Sequence, residues 1–240
     1  MWKILAIIEL LLVASLPITA ASIGRAPALQ TTTGEEISLW GVGRLNRQLM
    51  VGRTYHVIGR NMGVLVTDKG LPLIGFPGLN LTLSKGFDRQ RVERLLPGNY
   101  ISANCVLTKT GEHPFPSLDR CTDLKIVPTV SADAYAEAYQ NNMLKADSLF
   151  KNQDIILLGS VRGVGKLLTG ENYIDLTVGD GFAQVTSIMS ADAMPLIHEY
   201  AQVGATTVLA CRGGYRYNRV GSVGARDCRF PADGPSRRVG

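Results

Sequence analysis

Hydrophobic and polar positions in the second half of the chain follow the period of β-strands, with one helical stretch among them. A long β-rich run is interrupted by glycines, where a strand can bend or bulge. Two shorter alternating runs follow, separated by glycine-containing turns. Ser190 is a candidate cap for the helical stretch, although Pro195 disfavours a regular first turn. The predicted elements are, in order, strands at 154–168, 173–178 and 183–189, a helix at 190–202, and strands at 206–213 and 225–230.

The first half of the chain repeats this pattern, with its own helix at 87–98. The offset between matching positions rises from 100 to 107 along the copies, as small loop insertions would cause. The matched pairs are Gly59 with Gly159, Gly63 with Gly163, Cys105 with Cys211 and Cys121 with Cys228. We therefore predict two domains, 34–127 and 129–232, joined by a linker around Pro128. At 240 residues, 45% of them hydrophobic, the chain can supply a core for each.

This order of elements is that of the OB-fold, a small Greek-key barrel: three strands, a helix and two strands, with a long bent first strand. We predict a mainly β protein built from two tandem five-stranded OB-fold barrels with accessory helices. Before the second barrel, apolar positions recur at helical spacing and predict one amphipathic helix capped by Ser131. Asn142 lies within this stripe and is predicted to be a buried amide bonded to backbone groups. The stripe comprises Tyr135, Ala138, Tyr139, Asn142, Ala146 and Leu149.

The N-terminus has the layout of a secretory signal peptide over residues 1–21. Lys3 precedes an apolar run that is shorter than a membrane-spanning helix requires, and Pro17 and small residues follow it. Glu9 lies inside the run, so an uncleaved anchor is the alternative. We predict a periplasmic or secreted protein with no membrane span after cleavage. No cysteine directly follows the run, which argues against a lipid anchor there.

Export favours disulfides for the four cysteines, because disulfides persist outside the reducing cytosol. Cys105 and Cys121 are separated by 15 residues, and Cys211 and Cys228 by 16, unlike the close spacing of a zinc site. Four cysteines allow three connectivities. The internal repeat favours the one in which each pair joins the last two strands of its own domain.

Part of the second domain resembles the tRNA_anti-like family of OB-fold proteins. The resemblance covers roughly 132–230 and includes the strand "GSVRGVG" and the ending "VLACRG…ARDC"; the helical residues that carry it are Tyr139, Asn142, Ala146, Asp147, Phe150 and Lys151. It implies a fold similar to that of anticodon-binding domains, and it brings no established ligand or catalytic residue. The first copy is a fainter match, without a clear counterpart of the helix before its barrel.

The sequence contains no recognisable catalytic constellation, and we predict that the protein is not an enzyme and needs no cofactor or metal. The run from Gly159 to Gly165 has five residues between its glycines, and Leu167 follows Lys166, so it is not a phosphate-binding loop. We interpret these glycines as positions in a bent strand. The histidines share no metal-binding spacing; they are His56, His113 and His198.

The net charge of +5 is carried by the last 29 residues, which hold seven arginines and two aspartates and end in a basic tail at 233–240. OB-folds bind ligands over strands two and three and the adjoining loops. The predicted ligand-binding residues, all on the last hairpin, are Arg212, Tyr215, Arg216, Tyr217 and Arg219. The main hypothesis is a binding or assembly module for an envelope or secreted protein partner. The alternatives are single-stranded nucleic acid, with phosphates on arginines and bases on tyrosines, and a merely solvated hairpin.

Overall fold

The computed structural model describes residues 29–41, 49–109, 116–179, 183–216 and 222–231. In these ranges the chain forms two β-rich units in sequence order. The first unit contains β1 (Gln30–Thr33), α1 (Gly34–Gly41), β2 (Thr54–Arg60), β3 (Gly63–Val66), β4 (Pro72–Phe76), β5 (Leu79–Leu83), α2 (Arg89–Glu93), β6 (Tyr100–Lys109) and β7 (Pro116–Ile126). The second unit contains β8 (Thr129–Ser131), α3 (Ala132–Asn141), α4 (Met143–Phe150), β9 (Asp154–Lys166), β10 (Asn172–Val178), β11 (Ala183–Met189), α5 (Met194–Tyr200), β12 (Thr206–Arg216) and β13 (Ser222–Arg229).

The second unit is a closed five-stranded barrel. Its strands follow the order β9-β10-β11-β13-β12, and β12 returns to pair with β9. β11 and β13 are parallel and the other pairs of the barrel are antiparallel, which is the Greek-key order of the OB-fold. The core is filled from every strand, with Ile155, Ile174, Val185, Leu209 and Ala225 fully buried. The predicted OB-fold is therefore confirmed.

The first unit has the same strand neighbours, but its first strand is interrupted. Its sheet runs β1-β2-β6-β7-β5-β4-β3. β2 and β3 together correspond to the single long strand β9 of the second unit; β2 pairs with β6, and β3 pairs with β4 at the edge of the sheet. The break falls at Asn61, whose backbone N–H donates to Asn99 and whose carbonyl accepts from Gly98. Its side chain also accepts from the Gly63 N–H. The Met62 N–H then donates to the Gly75 carbonyl of β4, so the strand pairs that close the second barrel have counterparts here and the predicted first barrel is shown only in part.

Positions that match in sequence occupy equivalent places in the two units. The Val161 N–H donates to the Ala205 carbonyl, and the Val161 carbonyl accepts from the Gly204 N–H. Asn61 makes the same two backbone bonds with Asn99 and Gly98. A bulge with positive φ precedes the second cysteine of each unit, at Arg120 (φ 51°) and Asp227 (φ 53°). The internal repeat is thus visible in backbone geometry. The predicted domain limits of 34–127 and 129–232 stay predictions.

Both predicted disulfides are present. One joins Cys105 of β6 to Cys121 of β7, and the other joins Cys211 of β12 to Cys228 of β13. Each therefore links the last two strands of its own unit, as the repeat predicted. Closing a loop of this length stabilises a small domain by about 3 kcal/mol in the chain-entropy model.

The helix predicted before the second barrel is two helices. Ser131 caps α3 by accepting from the Ala134 N–H, as predicted. Asn142 then leaves the helical conformation, with φ −157° and ψ 97°, and its side chain caps α4 by accepting from the Lys145 N–H. Asn142 is exposed, so the prediction of a buried amide was wrong, although the bond to backbone is present. Leu149 is 52% exposed and does not belong to the apolar stripe.

The first unit does have a counterpart of this helix. β1 pairs in parallel with β2, as β8 pairs with β9, and α1 follows β1 as α3 follows β8. Thr33 accepts from the Glu36 N–H while Glu36 accepts from the Thr33 N–H, which is a capping box. The expectation that the first copy lacks this helix was therefore wrong.

The helices after the third strand are shorter than predicted. α2 covers Arg89–Glu93 and is capped by Asp88. In the second unit a 3₁₀ turn at 191–193 precedes α5, which starts at Met194, because Pro195 is tolerated only in the first turn of a helix. The Ser190 side chain makes no cap bond and instead accepts a hydrogen bond from Arg229.

Among the described residues, the two units contact each other through apolar side chains and through two oppositely charged pairs of side chains. The buried cluster contains Ile58, Tyr100, Val127, Ile156 and Ala210. In one polar link, His56 Nε2 of β2 lies 2.7 Å from Asp154 Oδ2 of β9. In the other, Arg229 Nη1 lies 2.8 Å from Glu36 Oε1.

None of the helices in the described ranges is long and apolar enough to cross a membrane. The predicted signal peptide at 1–21 and basic tail at 233–240 lie outside the described residues. Disulfides persist in oxidising compartments, so the two bridges are compatible with a periplasmic or extracellular location.

Candidate functional site

The outward side of β10 and β11 forms one wall of the closed barrel. Side chains alternate along these strands, so Ile174 and Leu176 point into the core while Tyr173 and Thr177 point outward. The antiparallel register places Tyr173 opposite Ile188 and Thr177 opposite Gln184. Strands two and three of the barrel therefore place six residues on one outward side, which we call the β10–β11 face: Tyr173, Thr177 and Gln184 are partly exposed, and Asp175, Thr186 and Ile188 are buried.

Arg162 reaches this face because the first strand is irregular there. The register between β9 and β10 shifts between Asp175 and Leu176, leaving Arg162 without a direct partner on β10. Its Nη1 donates to Gln184 Oε1 on β11 at 3.3 Å, and the residue is exposed. The bulge thus places a guanidinium group on the face.

Tyr173 lies across a glycine of the neighbouring strand. A Cβ at Gly165 would come within 2.6 Å of the tyrosine hydroxyl oxygen, so only glycine leaves room for the ring in this position. Tyr173 is half-buried and therefore still has exposed surface. An aromatic ring held on an outward barrel wall can stack with a planar ligand group.

The interior of the face is fixed by a hydrogen bond between buried polar groups. Thr186 Oγ1 donates to Asp175 Oδ1 at 2.7 Å, and both residues are more than nine-tenths buried. The carboxylate is therefore engaged within the protein, and its main role is to join β10 to β11.

The arginine-tyrosine hairpin begins at the edge of this face. β11 and β13 are parallel, with Gln184 beside Ser222 and Val185 beside Val223. Across the hairpin, the backbone of Tyr215 pairs with Gly224 and that of Arg216 with Val223. The base of the hairpin is therefore next to Gln184 and, through it, to Arg162. The side chains of Tyr215 and Arg216, and the whole of Tyr217 and Arg219, lie outside what the structure describes.

Helices α3 and α4 hold the base of this hairpin. The Tyr135 hydroxyl donates to the Gly224 carbonyl of β13 at 3.0 Å and accepts from the Gly214 N–H of β12 at 2.8 Å. Burial raises the pKa of Tyr135, so the hydroxyl keeps the proton that it donates. The carbonyl of Phe150 packs directly against Gly213. One phenol thus bridges both strands just below the predicted ligand-binding residues.

Arg212 is placed apart from the rest of the predicted set. Its Nε lies 3.8 Å from Asp154 Oδ1, next to the contact between the two units. Asp154 also meets His56, so Arg212 belongs to a polar group at the inter-unit contact. The structure brings the base of the hairpin and the β10–β11 face together, and it leaves Arg212 within β12 opposite Asp154.

A cleft of about 550 Å³ lies at the other end of the face. It is bounded by the turn between β9 and β10, the end of β11 and the bulge of β13; its lining includes Thr169, Glu171, Ile188, Arg226 and Asp227. Among the described residues, no three His, Cys, Asp or Glu side chains are grouped closely enough to hold a metal ion.

Sequence reasoning missed Arg162, Tyr173 and Gln184. The alternating run at 173–178 predicts which of its residues point outward, so Tyr173 could have been named. Arg162 could not, because its direction depends on a bulge between β9 and β10 that the alternation of residues along the sequence does not reveal.

No family model and no curated protein matches the chain, so the resemblance to the tRNA_anti-like family stays a prediction. Among solved structures, the wild-type single-stranded DNA binding protein from Thermus aquaticus is 14% identical, with a TM-score of 0.22, and the match covers 75% of this chain and 93% of that one. The murine DNA binding protein bound with double-stranded DNA is 5% identical, with a TM-score of 0.25 and coverages of 77% and 98%. Fission yeast Pot1 with single-stranded DNA is 9% identical, with a TM-score of 0.25 and coverages of 75% and 80%. Because these TM-scores are low, the fold assignment rests on strand order and parallel pairing, and the ligand must be argued from the site itself.

Proposed function

We propose that the protein is a non-enzymatic binding module, and that its second unit binds single-stranded nucleic acid across the β10–β11 face and the adjoining hairpin. The observation that supports this proposal is the parallel register of β11 and β13, in which the base of the hairpin lies beside Gln184, the residue that accepts a hydrogen bond from Arg162. Guanidinium groups pair with phosphates and aromatic rings stack with bases, and both kinds of group meet on this one wall.

The outward face of the first unit supports the choice of the second unit. Its equivalent positions on β3, β4 and β5 carry no charge and no aromatic ring; they are Gly63, Leu65, Leu73, Gly75, Asn80 and Thr82. A surface of this composition offers neither a phosphate contact nor a stacking platform. The difference agrees with the concentration of net positive charge in the last 29 residues.

A labelled single-stranded oligonucleotide at low salt tests the proposal. Arg162→Gln removes a phosphate contact and Tyr173→Leu removes a stacking contact, and each should weaken binding about fivefold or more, since a stacking contact alone is worth ~1 kcal/mol or above. Tyr173→Phe keeps the ring and should bind like the wild type. Arg53→Gln removes an exposed charge from the first unit and is the matched control for Arg162. Affinity should also fall steeply as salt rises, because bound phosphates release counterions.

Two results would overturn the proposal: no binding at low salt, or binding that neither salt nor these substitutions change. Recovery of a protein partner through the second unit would instead support the main sequence hypothesis of an envelope or secreted partner. Export itself is part of the proposal, supported by the two disulfides.

A further inference from the structure

The first unit contains a second surface with the chemistry of a polyanion site. Three clefts adjoin one another along it, with volumes of about 1010, 170 and 390 Å³. The first and second share Leu83, Ser84 and Thr122, and the second and third share Asp88 and Arg91. Together they form one channel, which we call the basic trough, from the turn at 67–71 past the end of β5 to α2.

Cations recur along the whole length of the trough. The six in its lining are Lys69, Lys85, Arg91, Arg94, Arg120 and Lys125. All six are exposed, and they come from the turn, the end of β5, α2 and β7. The fold therefore gathers charges that are scattered over more than fifty positions of sequence into one channel.

The acidic residues of the trough are fewer and mostly engaged. Asp88 caps α2 by accepting from the Arg91 N–H, and Asp119 accepts from Thr108 Oγ1. Asp123 pairs with Lys125 at 2.9 Å. In the part of the chain that the structure describes, four of the cations have no ion-pair partner: Lys69, Lys85, Arg94 and Arg120.

The position of Arg120 shows how the two units differ. Arg120 and Asp227 occupy the same bulge before the second cysteine, both with positive φ, so the bulge belongs to the fold. Each bulge gives its cleft one cation and one carboxylate, in opposite order, as Asp119 and Arg120 in the trough and Arg226 and Asp227 in the equivalent cleft of the second unit; that cleft has no basic counterpart of Lys69 and Lys85. The basic trough is therefore particular to the first unit.

The trough also contains an aromatic ring and hydroxyl groups. Phe87 is half-buried in the middle cleft, where an extended strand could place a base against it. Ser84 and Thr122 lie beside it and can donate to phosphate oxygens. Every residue of the lining belongs to the first unit, so this surface is complete without the β10–β11 face.

We propose that the basic trough holds the phosphodiester backbone of a second segment of single-stranded nucleic acid, so that one molecule holds two segments at once. This inference rests on the proposed function, because it assumes the same ligand class. An acidic polypeptide could also meet the cations, but its carboxylate side chains cannot stack on the Phe87 ring, whereas every nucleotide carries a planar base next to its phosphate.

The test uses the full chain and two oligothymidylates, one labelled with a donor fluorophore and one with an acceptor. The wild type should bind two per molecule and bring donor and acceptor together. Arg94→Gln with Arg120→Gln should leave one bound oligonucleotide and remove the energy transfer, because two phosphate contacts of the trough are lost. Arg53→Gln with Lys145→Gln removes two exposed cations elsewhere and should behave like the wild type.

Each outcome decides between the two proposals. One bound oligonucleotide in the wild type, unaffected by the trough substitutions, overturns this inference and leaves the proposed function standing. Binding that survives Arg162→Gln with Tyr173→Leu but is lost with the trough substitutions supports the trough and overturns the second-unit site. Failure of any oligonucleotide to bind overturns both. Displacement by polyglutamate at lower concentration than by oligothymidylate would overturn the ligand class.

Discussion

Arg229 shows that a single buried side chain can join the two units. It is 6% exposed, and Glu36 is fully buried. Its Nη1 donates to both carboxylate oxygens of Glu36, and its Nη2 donates to the Ser190 hydroxyl oxygen. Glu36 also completes the capping box of α1, so one carboxylate fixes the N-terminal helix and ties it to the second unit. In the sequence, Arg229 is only one of the seven arginines that carry the net positive charge, and the structure places it inside the protein.

Removing one partner of this pair should be costly because the other charge stays buried. We expect Arg229→Met to lower the free energy of unfolding by about 3–5 kcal/mol, measured by urea denaturation. Adding Glu36→Gln should restore much of the loss, since glutamine can keep the capping box without a charge. Arg226→Met, on the same strand with a side chain 49% exposed, is the control and should change stability by less than about 0.5 kcal/mol. Equal effects at positions 226 and 229 would contradict the buried pair.

At the scale of elements, the packing of α4 on β12 depends on glycine. A Cβ at Gly213 would lie 2.5 Å from the Phe150 carbonyl oxygen, a backbone atom that cannot turn aside. A Cβ at Gly163 of β9 would instead have no heavy atom of another part of the protein within 4 Å. Neither residue has positive φ, so the two glycines differ in the room available for a Cβ and not in a need for the left-handed backbone conformation.

We expect Gly213→Ala to lower the free energy of unfolding by about 1–3 kcal/mol, the usual cost of overpacking. Gly163→Ala should be neutral or slightly stabilising, because alanine loses less chain entropy than glycine on folding. Hydrogen exchange at the Gly214 N–H should quicken only in Gly213→Ala, since its bond to Tyr135 depends on the same packing. Similar behaviour of the two variants would show that α4 does not pack as described.

The elements that sequence predicted well are those set by local pattern. Strand alternation, the cysteine repeat and the Ser131 cap are short-range signals, and all appear in the structure. The break at Asn142 was missed because an asparagine at helical spacing fits an apolar stripe as readily as it caps a new helix. The site residue Arg162 and the basic trough depend on which strands become neighbours. That information lies in tertiary pairing, and one sequence does not carry it.

At the scale of the whole molecule, the contact between the units contains a pair that titrates. Burial alone lowers the pKa of His56, but the hydrogen bond and negative charge of Asp154 outweigh it and leave the pKa above its ordinary value of 6.5. For Asp154, burial opposes ionisation, yet the bond and charge of His56 and the charge of Arg212 hold the pKa below 3.8. Asn104 completes the surroundings by bonding His56 Nδ1.

The sign of the pH dependence follows from these directions. A raised histidine pKa contributes stability that is complete below 6.5 and is lost as pH rises through the folded value. A lowered aspartate pKa contributes stability above 3.8 that is lost as pH falls. The polar link between the units should therefore be strongest between pH 3.8 and pH 6.5. Once His56 has lost its proton at higher pH, Arg212 remains as the charged neighbour of Asp154 among the described residues.

His56→Gln should lower the free energy of unfolding most in this window and least near about pH 8, as urea denaturation across pH would show. His198→Gln, at an exposed position on α5, is the control. A loss at His56 that is the same at both ends of the range would mean that the units are joined by their apolar contact alone.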